Sequence, residues 1–199
     1  SEALVVTVEV DPVRVESRLV AGELRCPSCR DGVLAGWGFA RARRVEGLGD
    51  PVRPRRARCR SCLVTQVLLP VTLLLRRAYG AERVWMALTA RARGAGHRRI
   101  AIDLGVPPAT VRGWLRRAGQ RLEPIRSWCV GVAVAAGIDV VIPDGLGCPW
   151  RDVVAAVRCV VEAIGGRFGS VGLLGGLTAA QVVVAVSGGR LLAPGWPPA

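Results

Sequence analysis

Two cysteine pairs, Cys26-Pro-Ser-Cys29 and Cys59-Arg-Ser-Cys62, constrain this chain more than any other feature. A C-x-x-C turn presents two thiolates to one ion, and a tetrahedral site closes when four soft ligands converge at about 2.3 Å. The pairs are separated by 29 residues, room for two or three short strands. That spacing predicts a small β zinc ribbon. A module of this size buries little apolar surface, so bound metal would supply much of its folding free energy. A redox dithiol or an iron–sulfur site would use the same residue type. A redox pair, though, normally opens a helix in a βαβ setting, and no such pattern surrounds either pair. The expected ligands are Cys26, Cys29, Cys59 and Cys62 around one structural Zn2+ per chain. Four thiolates leave no open coordination position, so no chemistry is expected at the metal.

Charge is distributed just as unevenly. All 28 basic residues are arginine, against 15 acidic residues, for a net +13. Residues 1–127 hold 24 arginines and 11 carboxylates, whereas residues 128–199 hold four of each. A polyanion-binding part joined to a neutral part doing something else is the reading this supports. Around the cysteine pairs lie Arg41, Arg43, Arg44, Arg53, Arg55, Arg56, Arg58 and Arg60, opposed only by Glu46 and Asp50. Arg41/Arg43 and Arg56/Arg58/Arg60 recur with period two, which on strands would align each set along one face. A solvated basic surface is the plain alternative. Arg41, Arg43, Arg55, Arg56 and Arg58 are the candidate phosphate contacts here. Trp37 and Phe39 are expected to pack beneath the ribbon, with base stacking as the alternative.

The rest of the chain reads mainly as helix. Residues 3–10 form a β-branched strand pattern, and Asp11-Pro12 reads as an N-cap followed by proline at the first helical position. A helix near 12–21 follows, stopped by Gly22, with Val15, Leu19 and Val20 as its apolar stripe. The expected architecture is mainly α with a small β zinc ribbon. Residues 1–24 pack on the ribbon, 25–70 form it, 71–119 form a three-helix unit, and 120–199 form a helical packing or dimerisation tail. Helices are expected at about 121–136, 150–164 and 178–187. On the second of these Val153, Val154, Val157, Val160, Val161 and Ile164 cover more than one face. They require burial in a bundle or across a two-fold axis. Cys129, Cys148 and Cys159 are scattered and read as small core residues. The apolar runs Val130–Ile142 and Val171–Val186 are interrupted by glycine, Asp139 or Gln181 and fall short of the ~20 residues a spanning helix needs. No secretory leader pattern opens the chain. The expected location is cytoplasmic and nucleoid-associated, away from membranes.

The most informative segment is RRIAIDLGVPPATVRGWLRR, residues 98–117. A helix-turn-helix needs a small residue where its helices touch, a turn residue tolerant of positive φ, and apolar residues locking the second helix. Ala101, Gly105, Val111 and Trp114 fill those places at offsets of four, six and three residues, and Ile100, Leu104 and Val106 complete the core. Pro107-Pro108 presets the start of the second helix, although no Ser, Thr or Asp caps it. The exposed face would carry Ala109, Thr110, Arg112, Gly113, Arg116 and Arg117, with His97, Arg98 and Arg99 on the preceding helix. Arg112 is the best candidate for a bidentate guanine contact, and Thr110 for a thymine methyl or a phosphate. An ordinary three-helix bundle with a basic face is the alternative. Motif, charge and a neighbouring metal module agree on double-stranded DNA as the partner.

Taken together, CPSC, RPRRARCRSCLVTQVLLP and GAGHRRIAIDLGVPPATVRGWLRR resemble actinobacterial zinc-ribbon/helix-turn-helix proteins. These are similar in turn to the N-terminal DNA-binding region of insertion-sequence transposases. The resemblance covers about residues 10–118, and more weakly VAVSGGRLLAP near 184–194. It implies zinc on the four paired cysteines and a recognition helix at 108–117. Where such ribbons carry glycine after each cysteine pair, this chain has Arg30 and Leu63.

An enzyme is not expected. Acidic-triad transposition needs three carboxylates on a ribonuclease-H-like domain, and Asp139, Asp144, Asp152 and Glu162 sit in a helical, glycine-rich tail. The only tyrosine is Tyr79, and the only histidine, His97, reads as a phosphate or capping contact. No nucleophile–base pair or two-carboxylate set is visible. The function expected is a zinc-containing, sequence-specific DNA-binding protein, either a regulator or a targeting protein of a mobile element. The alternatives are an adaptor docking a protein machine through 120–199, or the non-catalytic DNA-binding half of a split transposase.

Overall fold

Asp11 starts the first helix as its sequence predicts. Its Oδ1 accepts the N–H of Val13 at 2.9 Å, and Pro12 supplies a preset φ, giving α1 (Pro12–Val20). Gly22 follows with φ +71, a conformation that costs glycine little. Val15 and Leu19 are buried, but Val20 is 83% exposed. One residue beyond Leu19 is about 100° around the helix, which carries Val20 off the buried stripe. The computed structural model describes residues 4–29, 31–137, 140–168 and 178–198. They divide into two compact units, Ser1–Gly80 and Ala81–Ala199.

In the first unit, β1 (Val5–Val8), β2 (Leu34–Phe39), β3 (Arg55–Cys59) and β4 (Thr65–Pro70) form one sheet in the order β1-β4-β3-β2. β3 runs antiparallel to both neighbours, and β1 lies parallel to β4. Strand alternation then sorts the side chains. Val8, Leu34, Ala57, Cys59 and Leu68 share a core with Val15 and Leu19 of α1, Leu24 and Cys26. Cys26 and Cys59, with Cys29 packed against them, are therefore part of the apolar core. On the other face Leu69 packs with Val45 and Leu73, flanked by Val5, Leu48 and Val52. The segment after β4 stays with this unit. Glu46 donates its N–H to the Ala78 carbonyl at 2.6 Å and accepts that of Gly80 at 3.1 Å. These bonds put the boundary after Gly80, ten residues beyond the one read from sequence.

The second unit is helical throughout: α2 (Ala81–Ala92), α3 (His97–Leu104), α4 (Pro108–Gly119), α5 (Leu122–Ala136), α6 (Pro149–Phe168) and α7 (Ala179–Ser187). α3 stops where Gly105 turns left-handed at φ 62, ψ 37, and α4 restarts at Pro108. Thr178 and Gln181 form a reciprocal capping box at the head of α7, and Gly188 ends it at φ 57. Val84, Trp85 and Leu88 of α2 are buried with Ile100, Ala101, Val106, Val111, Trp114 and Ala118; Leu104 is only half-buried. α6 packs mainly on α5, with α2 and α7 also against it. Its Val153, Val157 and Val160 are buried, while Val154, Val161 and Ile164 are half-buried. The segment after α7 is tied in by Arg121, which donates to the Trp196 carbonyl at 2.7 Å. Trp128 donates Nε1–H to the Val186 carbonyl at 2.9 Å.

Cys129 and Cys159 are buried and Cys148 half-buried. Burial pushes the Cys129 thiol up to about 12, and burial aided by Glu162 raises Cys159. Protonated thiols of this kind behave as small apolar groups. No helix among the described residues is long and apolar enough to cross a membrane. Asp139 and the 171–177 part of the second apolar run lie outside the described residues.

Candidate metal centre and nucleic-acid interface

The four paired cysteines converge. Their sulfurs all lie within 4.8 Å of one another, and the cluster can hold one metal ion. Cys26 and Cys62 Sγ are 3.7 Å apart, and Cys29 and Cys59 Sγ 3.6 Å. Sulfurs at the corners of a tetrahedron, each about 2.3 Å from a central ion, would stand about 3.8 Å apart. Each pair closes its own turn. Cys26 donates its N–H to the Gly32 carbonyl at 2.8 Å, and Cys59 donates to Val64 at 2.9 Å. Backbone donors also aim at the sulfurs: Ser28 N–H at Cys26 Sγ (3.4 Å), and Ser61 and Cys62 N–H at Cys59 Sγ (3.3 and 3.5 Å). As a free thiol, Cys59 is pulled down to about 6 by the Cys62 N–H, with burial opposing and the Ser61 N–H assisting. Cys29 is pushed up to about 12 by its sulfur contacts with Cys59 and Cys62. N–H donors to sulfur favour thiolate, the form a metal binds.

Two further residues shape this centre, of which sequence reasoning missed Gly32 and singles out Leu63. A Cβ at Gly32 would sit 2.3 Å from Cys59 Sγ and 2.6 Å from Cys29 Sγ, so only glycine leaves room for the sulfurs. Leu63, just after the second pair, holds φ +60, the conformation glycine usually supplies. An L residue pays about 1–2 kcal/mol there, and the turn-closing bond to Val64 offsets it. Arg30, at the matching place in the first pair, lies outside the described residues.

The arginines of this unit fall into two groups. Arg55 bonds Glu16 of α1 and donates to the Gly38 carbonyl at 2.6 Å. Arg43 donates to the Leu74 and Arg77 carbonyls, both at 3.4 Å, and half-burial lowers its pKa. Both are spoken for within the fold. Arg41, Arg44, Arg56 and Arg60 have no side-chain hydrogen bond or ion pair among the described residues. Arg58 donates Nε–H to the Leu63 carbonyl at 3.0 Å and sets its guanidinium 4.7 Å from the Trp37 ring centre. Trp37 and Phe39 do not pack beneath the sheet; they are 55% and 51% exposed. A register shift between Gly36 and Gly38 inserts Trp37 as an extra residue. Counted from buried Leu34, alternation already sets Trp37 on the outer face with Ala35, and the shift changes only the register of Gly38 and Phe39 beyond it.

In the second unit, Arg112, Arg116, Arg117 and Ala109 are exposed on α4, with Thr110 and Gly113 half-buried. The opposite stripe, Val111, Trp114 and Ala118, is buried. Arg98 and Arg99 are exposed on α3, where Arg99 pairs with Asp103 at 3.0 Å. His97 is half-buried and lines a groove of about 340 Å³ with Arg91, Arg112, Arg116 and Trp150. Gly113 gives the Arg117 side chain room, since a Cβ there would meet its guanidinium at 3.1 Å. Asp152, one of the tail carboxylates, accepts the Leu146 N–H at 2.7 Å ahead of α6. No protein-family model, curated protein or solved structure matches the chain.

Proposed function

We propose that this chain is a non-catalytic, zinc-containing DNA-binding protein, acting as a regulator or as the targeting protein of a mobile element. Zinc suits four clustered thiols, with two sulfur spacings near that of a tetrahedron and backbone donors on Cys26 and Cys59. In this reading α3 and α4 act as a helix-turn-helix, with α4 entering the major groove. The observation that carries it is the split character of α4. One face buries Val111, Trp114 and Ala118, while the other holds Arg112, Arg116 and Arg117 with no carboxylate partner among the described residues. Left-handed Gly105 and the short link to Pro108 fit the same role. Arg112 is assigned base readout, and Arg56 a sequence-independent phosphate contact. Arg112→Ala should weaken binding to the preferred site by ~1–3 kcal/mol and relax selectivity at one base pair. Arg56→Ala should lower affinity for all duplexes about equally. Titrations in which the two variants behave alike contradict the division of labour.

A second reading has its own support at the tail. Val134, Val141, Ile142 and Leu146 expose 52, 86, 49 and 54% of their surface. Apolar side chains left open in this number favour a homodimer or a protein partner docked on 120–199. Sedimentation of the full chain at micromolar concentration checks the dimer: a mass of twice the 21.1 kDa chain is expected of it, and a monomer removes it.

A further inference from the structure

We propose that the exposed β2–β3 part of the sheet face, beyond the Leu69–Val45–Leu73 core, is a second nucleic-acid site, which binds single-stranded DNA by stacking unpaired bases on Trp37. The observations are independent of α4. Trp37 projects from the bulge in β2 with more than half its surface in solvent, and Arg58 lies against its ring. Arg58 is opposite Ala35 on one side and Thr65 on the other, and Arg56 is opposite Gly38 and Val67. Alternation therefore gives Arg56 and Arg58 the same face, turned away from the side that buries Ala57 and Cys59. Arg56 is exposed and has no partner among the described residues, so its guanidinium is available to a phosphate.

Charge complementarity selects the occupant. β2, β3 and β4 carry no Asp or Glu. An acidic peptide would satisfy the arginines but leave the Trp37 ring without a planar partner. A strand of unpaired nucleotides offers both a phosphate for each arginine and a base for the ring. Aromatic platforms beside basic rails are how single strands are held without regard to sequence. Small neighbours help. Ala35, Gly36 and Gly38 flank Trp37 along β2, and Gly38 holds φ +104, so the strand itself sets no bulky side chain over the ring face that Arg58 leaves free. Duplex DNA can offer Arg56 a phosphate but keeps its base faces stacked, so it is the Trp37 ring that discriminates for unpaired segments. The choice of DNA rests on the reading above; the stacking does not.

The test uses the zinc-loaded full chain and a labelled fifteen-nucleotide oligo-dT strand, with a duplex of equal length and an oligo-rU strand as arms. Trp37→Ala should lower oligo-dT affinity by about 5- to 150-fold, the loss of one stacked base. Trp37→Phe should restore most of it. Zinc content and duplex affinity should be unchanged in both variants. Arg112→Ala should weaken duplex binding and leave oligo-dT binding intact, so failure of the α4 reading and failure of this one look different. On the unaltered protein, photo-crosslinking to a 5-iodouracil strand should give adducts within residues 34–39. Equal oligo-dT affinity in Trp37→Ala and the parent, or adducts confined to other segments, overturns the site. Tighter binding of oligo-rU than of oligo-dT overturns the assignment to DNA.

Discussion

Stripping the metal is expected to unfold Ser1–Gly80 while most of the helical signal survives. Cys26 and Cys59 sit inside the same core as Val8, Val15, Leu19, Leu34 and Leu68. Loss of the ion therefore loosens the apolar packing and the turns together. Bound zinc in small modules is worth ~10–16 kcal/mol, as much as the entire stability of an ordinary domain. Six helices, α2 to α7, belong to the other unit, and none of the four clustered cysteines does. Circular dichroism on chelation should lose the sheet contribution and keep the helical one. Elemental analysis should give one zinc per chain, falling towards zero in Cys59→Ser. Gly32→Ala should fall as far, because its added methyl would lie 2.3 Å from Cys59 Sγ. An alanine variant that keeps full zinc would show that the sulfurs have slack, contrary to this account.

The second large effect is that of salt. Arg41, Arg44, Arg56, Arg60, Arg98, Arg112, Arg116 and Arg117 have no side-chain ion pair among the described residues. Each that meets a phosphate releases a condensed counterion. With about six such contacts, log K should fall against log salt with a slope near −5, roughly a thousandfold loss between ~50 and ~200 mM. Arg99 is excluded, since Asp103 already holds it, and Arg55 is excluded by Glu16. Binding that is flat across this range would mean the arginines are only a solvated surface.

Local signals were readable because their causes are local. Asp11-Pro12 and Gly105 report backbone conformations that few residues favour, and the helices begin and end where they stand. The cysteine spacing likewise announced a four-sulfur cluster. What depends on distant partners was not readable. Period two placed Arg56 and Arg58 together, but nothing near Arg55 signals that Glu16, 39 positions earlier, takes it up. Arg43 is held by carbonyls more than 30 residues away. The bulge at Gly36/Gly38 shifts the parity of Phe39 by one, for which two glycines flanking a tryptophan were a visible hint. Trp37 itself faces outward because Leu34, three residues earlier, is the strand's buried residue. Gly32 matters because sulfurs from both pairs meet over it, which its position three residues after Cys29 does not announce.

The central claim, that α4 reads DNA sequence, is tested most directly by selecting bound duplexes from a random pool with the zinc-loaded chain. The account predicts one enriched motif for the parent, with Arg112→Ala losing preference at a single base pair within it. A parent protein that retains duplexes yet enriches no motif would contradict it.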